Sequence, residues 1–303
     1  MTVFKSSLAK RASCILAAAI ITFMAAFAAS AQQLPQISPQ EMVRRAAANE
    51  VTADQSHLYF MYKDRIEYRD HSITKEIVQT PQGGLTRTIA LNDKPLTPEQ
   101  RAKDDQRLNK FAHDSEARRK RREANKQEDQ REALMLTSLP DAFLYTYAGT
   151  QKGPNGEELV HLTFKPNPNF DPPNHETAVY QGMQGDMLID AKAMRFAKID
   201  GTLFKDVDFG WGILGKLYKG GKFIIEQRDV GGGHWEETRE TLQFSGKILL
   251  FKPLNIWSTE STSDFRPVPA NITTAQALEL LYKGDETVAE NGGGVKDAQN
   301  SHK

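Results

Sequence analysis

Cysteine is nearly missing from this chain: among 303 residues only Cys14 carries a thiol. A disulfide-built fold, a thiolate metal site and a cysteine nucleophile are therefore excluded for everything after that position. An excess of positive charge is missing too, since 39 Lys+Arg face 39 Asp+Glu. Binding a nucleic-acid backbone takes clustered cations that displace counterions, so nucleic acid is not an expected partner. The histidines form no H-x-H or H-E-x-x-H pair, and neither a metal nor a cofactor is expected. The least ordinary of them, His175, sits with Glu176 beside a proline-rich segment and reads as a surface loop. No G-x-S-x-G nucleophile elbow occurs, and the adjacent Glu236 and Glu237 are expected on opposite faces of a strand. No positive case for an enzyme emerges, although a hydrolase built from scattered polar residues stays open. Beyond residue 31 no apolar run is long enough to span a bilayer.

What is present begins at the N-terminus. Lys5, Lys10 and Arg11 precede an uncharged, almost wholly apolar stretch from Cys14 to Phe27, and Ala29-Ser30-Ala31 follows. That order of basic, apolar and small-residue regions reads as a secretory signal cut after Ala31. A retained anchor is the alternative. Cleavage would remove three cations and no acids, leaving 36 Lys+Arg against 39 Asp+Glu, a net charge of −3. The expected product is periplasmic or secreted and not transmembrane.

After the signal at 1–31, one β-rich domain is expected over 32–283, followed by a polar, disordered tail at 284–303. Met42, Val43, Ala46 and Ala47 predict a short helix over Pro39–Ala48, with Ser38 as its cap. From His57 the period becomes two: Leu58, Phe60, Tyr62, Ile66 and Tyr68 alternate with Lys63, Arg65, Glu67 and Arg69, as in a half-buried strand. Turns at Asp70-His71-Ser72 and Gly83-Gly84 continue this strand into a meander.

Thr97-Pro98-Glu99-Gln100 then forms a capping box with proline at the first helical position. One helix is predicted over 97–136, with its charged middle uncovered on every face. The four-residue pairs Asp114/Arg118, Glu116/Lys120 and Arg119/Glu123 would bridge along it.

Candidate strands follow at Ala142–Tyr147, Glu158–Phe164, Gly185–Ile189, Arg195–Phe204, Lys222–Val230, Trp235–Phe244, Lys247–Ser258 and Glu260–Arg266. Short strands with tight turns between them mean antiparallel sheet rather than βαβ units. A last helix is predicted over Thr273–Tyr282.

Three features bear on function. Gly210-Trp211-Gly212-Ile213-Leu214-Gly215-Lys216 matches G-x-G-x-x-G, but Leu217 replaces the Ser or Thr a phosphate loop needs. No long helix follows it, so it reads as a turn. Arg118, Arg119, Arg121 and Arg122 form a basic run on the charged helix, surrounded by acids. It reads as a solvated face, or as a contact for a protein partner or acidic lipid headgroups. Phe209, Trp211, Trp235, Phe251 and Trp257 gather in the strand-rich half, and Ile248-Leu249-Leu250-Phe251 reads as a strand apolar on both faces. One face would pack on the core, and the other needs a cover: a helix, a second sheet or a ligand.

The strand sequences Met187-Leu188-Ile189-Asp190-Ala191, Ile199-Asp200-Gly201, Lys222-Phe223-Ile224-Ile225-Glu226 and Trp235 to Leu242 resemble those of the periplasmic lipoprotein-carrier superfamily. The likeness spans roughly Asp141 to Arg266. Asn92 to Glu99 and Asp206 to Gly212 resemble stretches of uncharacterised outer-membrane lipoprotein-sorting-like proteins. The charged segment 97–136 is an insertion relative to true carriers. The resemblance implies an α+β fold: a curved antiparallel sheet, an unclosed half-barrel, with helices on its concave side. It also implies a non-catalytic envelope protein that holds an apolar ligand (a lipid, an acyl chain or a lipoprotein) against the sheet. The five aromatics are then the candidate ligand contacts. The alternative is an interaction or sensor module that meets an envelope protein partner through the helix over 114–132.

Overall fold

The computed structural model describes residues 37–54, 58–209, 215–249 and 252–292, with side chains up to 283. The expected signal at 1–31, Trp211, Phe251 and most of the glycine-rich segment lie outside the described residues. From Ser38 onward the chain forms one unit. Among the described residues, no helix is long and apolar enough to cross a membrane.

Among the described residues, thirteen strands form one antiparallel sheet that does not close into a barrel. In chain order they are β1 (Tyr59–Tyr68), β2 (Ser72–Val78), β3 (Leu85–Leu91), β4 (Lys94–Pro95), β5 (Phe143–Lys152), β6 (Glu158–Pro166) and β7 (Met183–Asp190). Then come β8 (Phe196–Leu203), β9 (Val207–Phe209), β10 (Gly215–Leu217), β11 (Lys222–Asp229), β12 (Trp235–Ile248) and β13 (Lys252–Val268). The spatial order is β4-β3-β2-β1-β13-β12-β11-β8-β7-β6-β5, with β9 and β10 branching from β12. The last long strand, β13, therefore joins the two blocks by pairing with β1. Among the described residues, four α-helices and a short 3-10 helix (Thr177–Gly182) complete the α+β fold: α1 (Pro39–Asp54), α2 (Pro98–His113), α3 (Ser115–Ala142) and α4 (Thr274–Gly292).

The first helix begins where its cap predicts, with Ser38 Oγ accepting from Glu41 N at 3.2 Å, and continues to Asp54. Met42, Val43, Ala46 and Ala47 make its buried face. The Thr97 box also forms, with reciprocal bonds between Thr97 and Gln100. The single helix expected over 97–136 is instead two. Asp114 adopts extended φ/ψ of −91° and 96° and serves both helices. Its N–H closes α2 on the Lys110 carbonyl, and its carboxylate caps α3 by accepting from Ala117 N at 2.9 Å. A short acidic side chain that bonds nearby backbone N–H competes with helix continuation, and here it wins. Glu116–Lys120 pairs as expected at 3.0 Å, whereas Asp114 is spent on the cap.

Two further expectations need correction. Of the run expected as a strand apolar on both faces, Ile248 ends β12 and Leu249 lies in a turn, while Leu250 and Phe251 lie outside the described residues. β12 runs unbroken through Ser245-Gly246 to Ile248, and the chain reverses before Lys252, with Leu249 at φ 49° and exposed. The stretch from 252 to 268 is then one strand rather than two. At the C-terminus, α4 extends past Tyr282 to Gly292, so helix occupies the first part of the expected tail; residues 293–303 lie outside the described residues.

The helices divide between the two faces of the sheet. Met61, Val78 and Leu85, one buried row across β1–β3, pack with Leu108 and Ala112 of α2 and with Ala277 and Leu281 of α4. The neighbouring buried Arg87 ties the same three elements together, donating to Asp105 at 2.9 Å and to the Leu281 carbonyl at 2.9 Å. The alternate residues of β1, Phe60, Tyr62 and Asp64, face the other way. That other, inner face carries α1 and α3. Concave-side helices were expected throughout; α2 and α4 instead cover the outer face of the first block, because its second apolar row needs burial too.

Candidate functional site: an inner-face cavity

Inner-face positions follow from the strand registers. One row runs Glu260 (β13), Glu240 (β12), Ile225 (β11), Ile199 (β8), Met187 (β7), and the next runs Ser258, Leu242, Phe223, Gly201, Gly185, Phe164. Across these strands α3 passes overhead. Between sheet and helix lies a cavity of about 760 Å³. Its floor includes Phe164, Met187, Ile199, Phe223, Leu242 and Ile256, and its roof includes Met135, Leu136 and Leu139. The volume falls within the range of small-molecule sites, roughly 300–1,000 Å³.

The roof is held in place by hydrogen bonds. Tyr145 donates to the Leu139 carbonyl at 2.7 Å, and Tyr180 donates to the Met135 carbonyl at 3.2 Å. Burial raises the pKa of both phenols, so they stay protonated and remain donors. Gln40 of α1 donates to the Pro140 carbonyl at 2.9 Å, which fixes the last turn of α3 from the other side. At the far end of α1, Glu50 accepts from Arg195 Nε at 2.8 Å and from Phe196 N at 3.2 Å. This buried pair ties α1 to the start of β8.

A second pocket, about 790 Å³, lies beside the first between α1, α3, β1 and the start of β12. Its lining is more polar and includes Glu50, Gln79, Arg195, His234 and Trp235. Glu236 and Glu237 both border it. The register shift opposite Glu226/Gln227 is a bulge between Glu237 and Arg239, so that Glu237, three residues from Glu240, also borders the main cavity.

Where β12, β13 and β1 meet, the inner face changes from apolar to acidic. Glu240 lies directly opposite Glu260, and Asp64 is two residues from Ile66, the partner of Glu260. Glu237 and Glu240 line the main cavity, with Glu132 reaching it from α3. Burial, reinforced by Glu240, Glu260 and Glu132, pushes the Glu237 carboxyl up to about 8. Burial and the adjacent Asp64 and Glu240 push Glu260 up to about 7. Burial likewise raises Asp64 and Glu240. Among the described residues, no group of side chains could hold a metal ion.

The structure brings together few of the residues that the sequence marked. Phe209, the last residue of β9, lines the main cavity. Trp235 lines the second pocket. Trp257 lies opposite Gln243 on the outer face, while its neighbour Ile256 faces the cavity. Trp211 and Phe251 lie outside the described residues. In the basic run, Arg118 donates to Thr274 Oγ1 and Arg122 to the Gln82 carbonyl, both at 2.9 Å, so these two brace α3 against the first block. Arg119 and Arg121 are exposed. The apolar floor and the acidic end were missed, although Asp64, an acid on the apolar side of the Phe60–Tyr68 alternation, was a visible sign of the latter.

No protein-family model and no curated protein matches the chain. A solved structure of a DUF1329 family protein from Desulfovibrio piger is similar at 10% identity, over 76% of this chain and 93% of its own. The TM-score is 0.24, too low to superpose the two folds closely.

Proposed function

We propose that this chain is a non-catalytic protein of the bacterial envelope that holds an apolar ligand, such as a lipid, an acyl chain or a lipidated polypeptide, between its curved sheet and α3. The observation that carries this reading is the cavity of about 760 Å³ whose floor and roof are dominated by apolar side chains. An aliphatic chain laid between these walls would make with them the dispersion contacts of a close-packed core. Burying the ligand would contribute about 25 cal/mol per Å² of apolar area.

Native mass spectrometry of protein purified from cell envelopes tests it, combined with lipid extraction. A stoichiometric acyl-bearing adduct is expected. Leu242→Trp, which fills the cavity from the floor, should lower the bound fraction at least about tenfold while the fold persists, since overpacking costs roughly 1–3 kcal/mol. Wild-type protein with no adduct and no uptake of added aliphatic chains would end the reading.

A second reading draws on α3, where residues 119–132 are exposed along the helix. It makes that helix a docking surface for an envelope protein. Arg119→Glu with Arg121→Glu should then release the partner in a pull-down; partners retained in full would count against it.

A further inference from the structure

The main cavity is built with two unlike ends, and only one suits an aliphatic chain. Toward β7 and β8 its wall is Met187, Ile199 and Phe164; toward β12 the same row of the sheet passes to Glu240 and then Glu260. Glu237 joins Glu240 on the lining. Among the described residues, neither makes an ion pair, and the charges acting on Glu237 come from other carboxylates. The cations nearby pair with other carboxylates rather than with Glu237 or Glu240. Arg131 of α3, which also lines the cavity, pairs with Glu128 at 2.7 Å, and Lys75 of β2 reaches Asp64 at 4.0 Å.

The neighbouring acids supply no neutralising partner. Glu260, directly opposite Glu240, shares a hydrogen bond with Asp64, which is 4% exposed, and neither belongs to the cavity lining. Tyr62, on the same face, is held protonated by burial and by the negative charge of Asp64, Glu236 and Glu260. Carboxyls crowded in this way bind protons more tightly, and a bound cation would take the place of those protons.

We propose that the acidic end of the cavity lined by Glu237 and Glu240, with Glu260 opposite Glu240 adding its charge from outside the lining, receives the head of the ligand, and that this head is a cation rich in hydrogen-bond donors, such as a primary ammonium. The ligand class is then a cationic or amine-bearing amphiphile with its chain against Phe223, Leu242 and Ile256. An anionic head, as in a free fatty acid, is disfavoured by the same carboxylates. This inference rests on the cavity binding an aliphatic ligand, as proposed above.

Three probes of equal chain length, all kept below their aggregation concentrations, separate the possibilities in calorimetric titrations at pH 8.5: decylammonium, decanoate and decanol. Decylammonium is expected to bind at least tenfold more tightly than decanoate, with decanol between them. Glu237→Gln and Glu240→Gln should each weaken decylammonium several-fold and leave decanol within about twofold. Decanoate binding as well as decylammonium, or substitutions that leave their ratio unchanged, would overturn the head-group assignment while leaving the cavity reading intact. Failure of all three probes, decanol included, would overturn both.

Discussion

Glu50 shows how much rests on single buried groups here. Its carboxylate is the partner of Arg195 and also accepts from Phe196 N, and both charged side chains are nearly out of solvent. Removing one member of such a pair leaves the other charge uncompensated, a cost of about 3–5 kcal/mol. Glu50→Ala should destabilise the protein by that order in urea unfolding; a loss under about 1 kcal/mol would mean that water already screens the pair. Gly201 acts by what it lacks. A Cβ there would stand 2.9 Å from the Phe223 ring and from Met183 Sδ, so the bare backbone lets Phe223 lie across its neighbour on the cavity floor.

Among the elements, α2 and α3 are two helices because of one residue. Asp114 closes one and opens the other, and the change of direction lets α2 pack on the outer face of the first block while α3 crosses the inner face. Asp114→Ala should cost about 1 kcal/mol, the usual value of an N-cap. Thr97→Ala should cost a similar amount at the start of α2. Thermal melts of the two variants, compared with the parent, check both figures. Each should lower Tm by about 2–4 °C, given the entropy of unfolding for a domain of this size. An Asp114→Ala variant with an unchanged melt would show that tertiary packing alone sets the break. The α3 roof is less dependent on its cap, since Tyr145, Tyr180 and Gln40 hold its last turns from three elements.

The whole molecule carries the pH dependence. Glu237, Glu240, Glu260 and Asp64 all have carboxyls raised by folding, and Lys75 is the cation acting on Asp64 and Glu260. Acids raised in the folded state bind more protons there than in the unfolded chain. Their contribution is therefore complete below the ordinary carboxylate range and is lost as pH rises through about 7 and 8, the values for Glu260 and Glu237. The lowered carboxyls, Asp93, Asp264 and Glu41 among them, lie near the surface and act at the acid end instead. The ligand-free protein should thus be most stable near pH 5, with Tm falling by several degrees toward pH 8.5, each pKa unit being about 1.4 kcal/mol before solvent screening. Glu237→Gln should flatten that slope in scanning calorimetry. A Tm that rises from pH 5 to 8.5 would refute the buried acid cluster.

Local pattern determined a good part of this protein. The alternation from Phe60 to Tyr68, the Thr97–Gln100 box, the Ser38 cap and the antiparallel character of the strand-rich half were legible because each depends on neighbours within a few residues. The curved α+β sheet was legible with them, through a likeness of strand sequences. What lay beyond reach was set by register between distant strands. Within the described sheet, the pairing of β13 with β1 joins the two blocks and brings Glu260 beside Asp64 across nearly 200 residues of chain. Which aromatics face the cavity depends on a period of two, so a one-residue difference puts Ile256 inside and Trp257 outside. The apolar run at Ile248 reads equally as strand or turn until its partners are known. Composition and short-range pattern therefore settled what elements this chain makes, while long-range pairing decided which side chains share the cavity and where its acidic end lies.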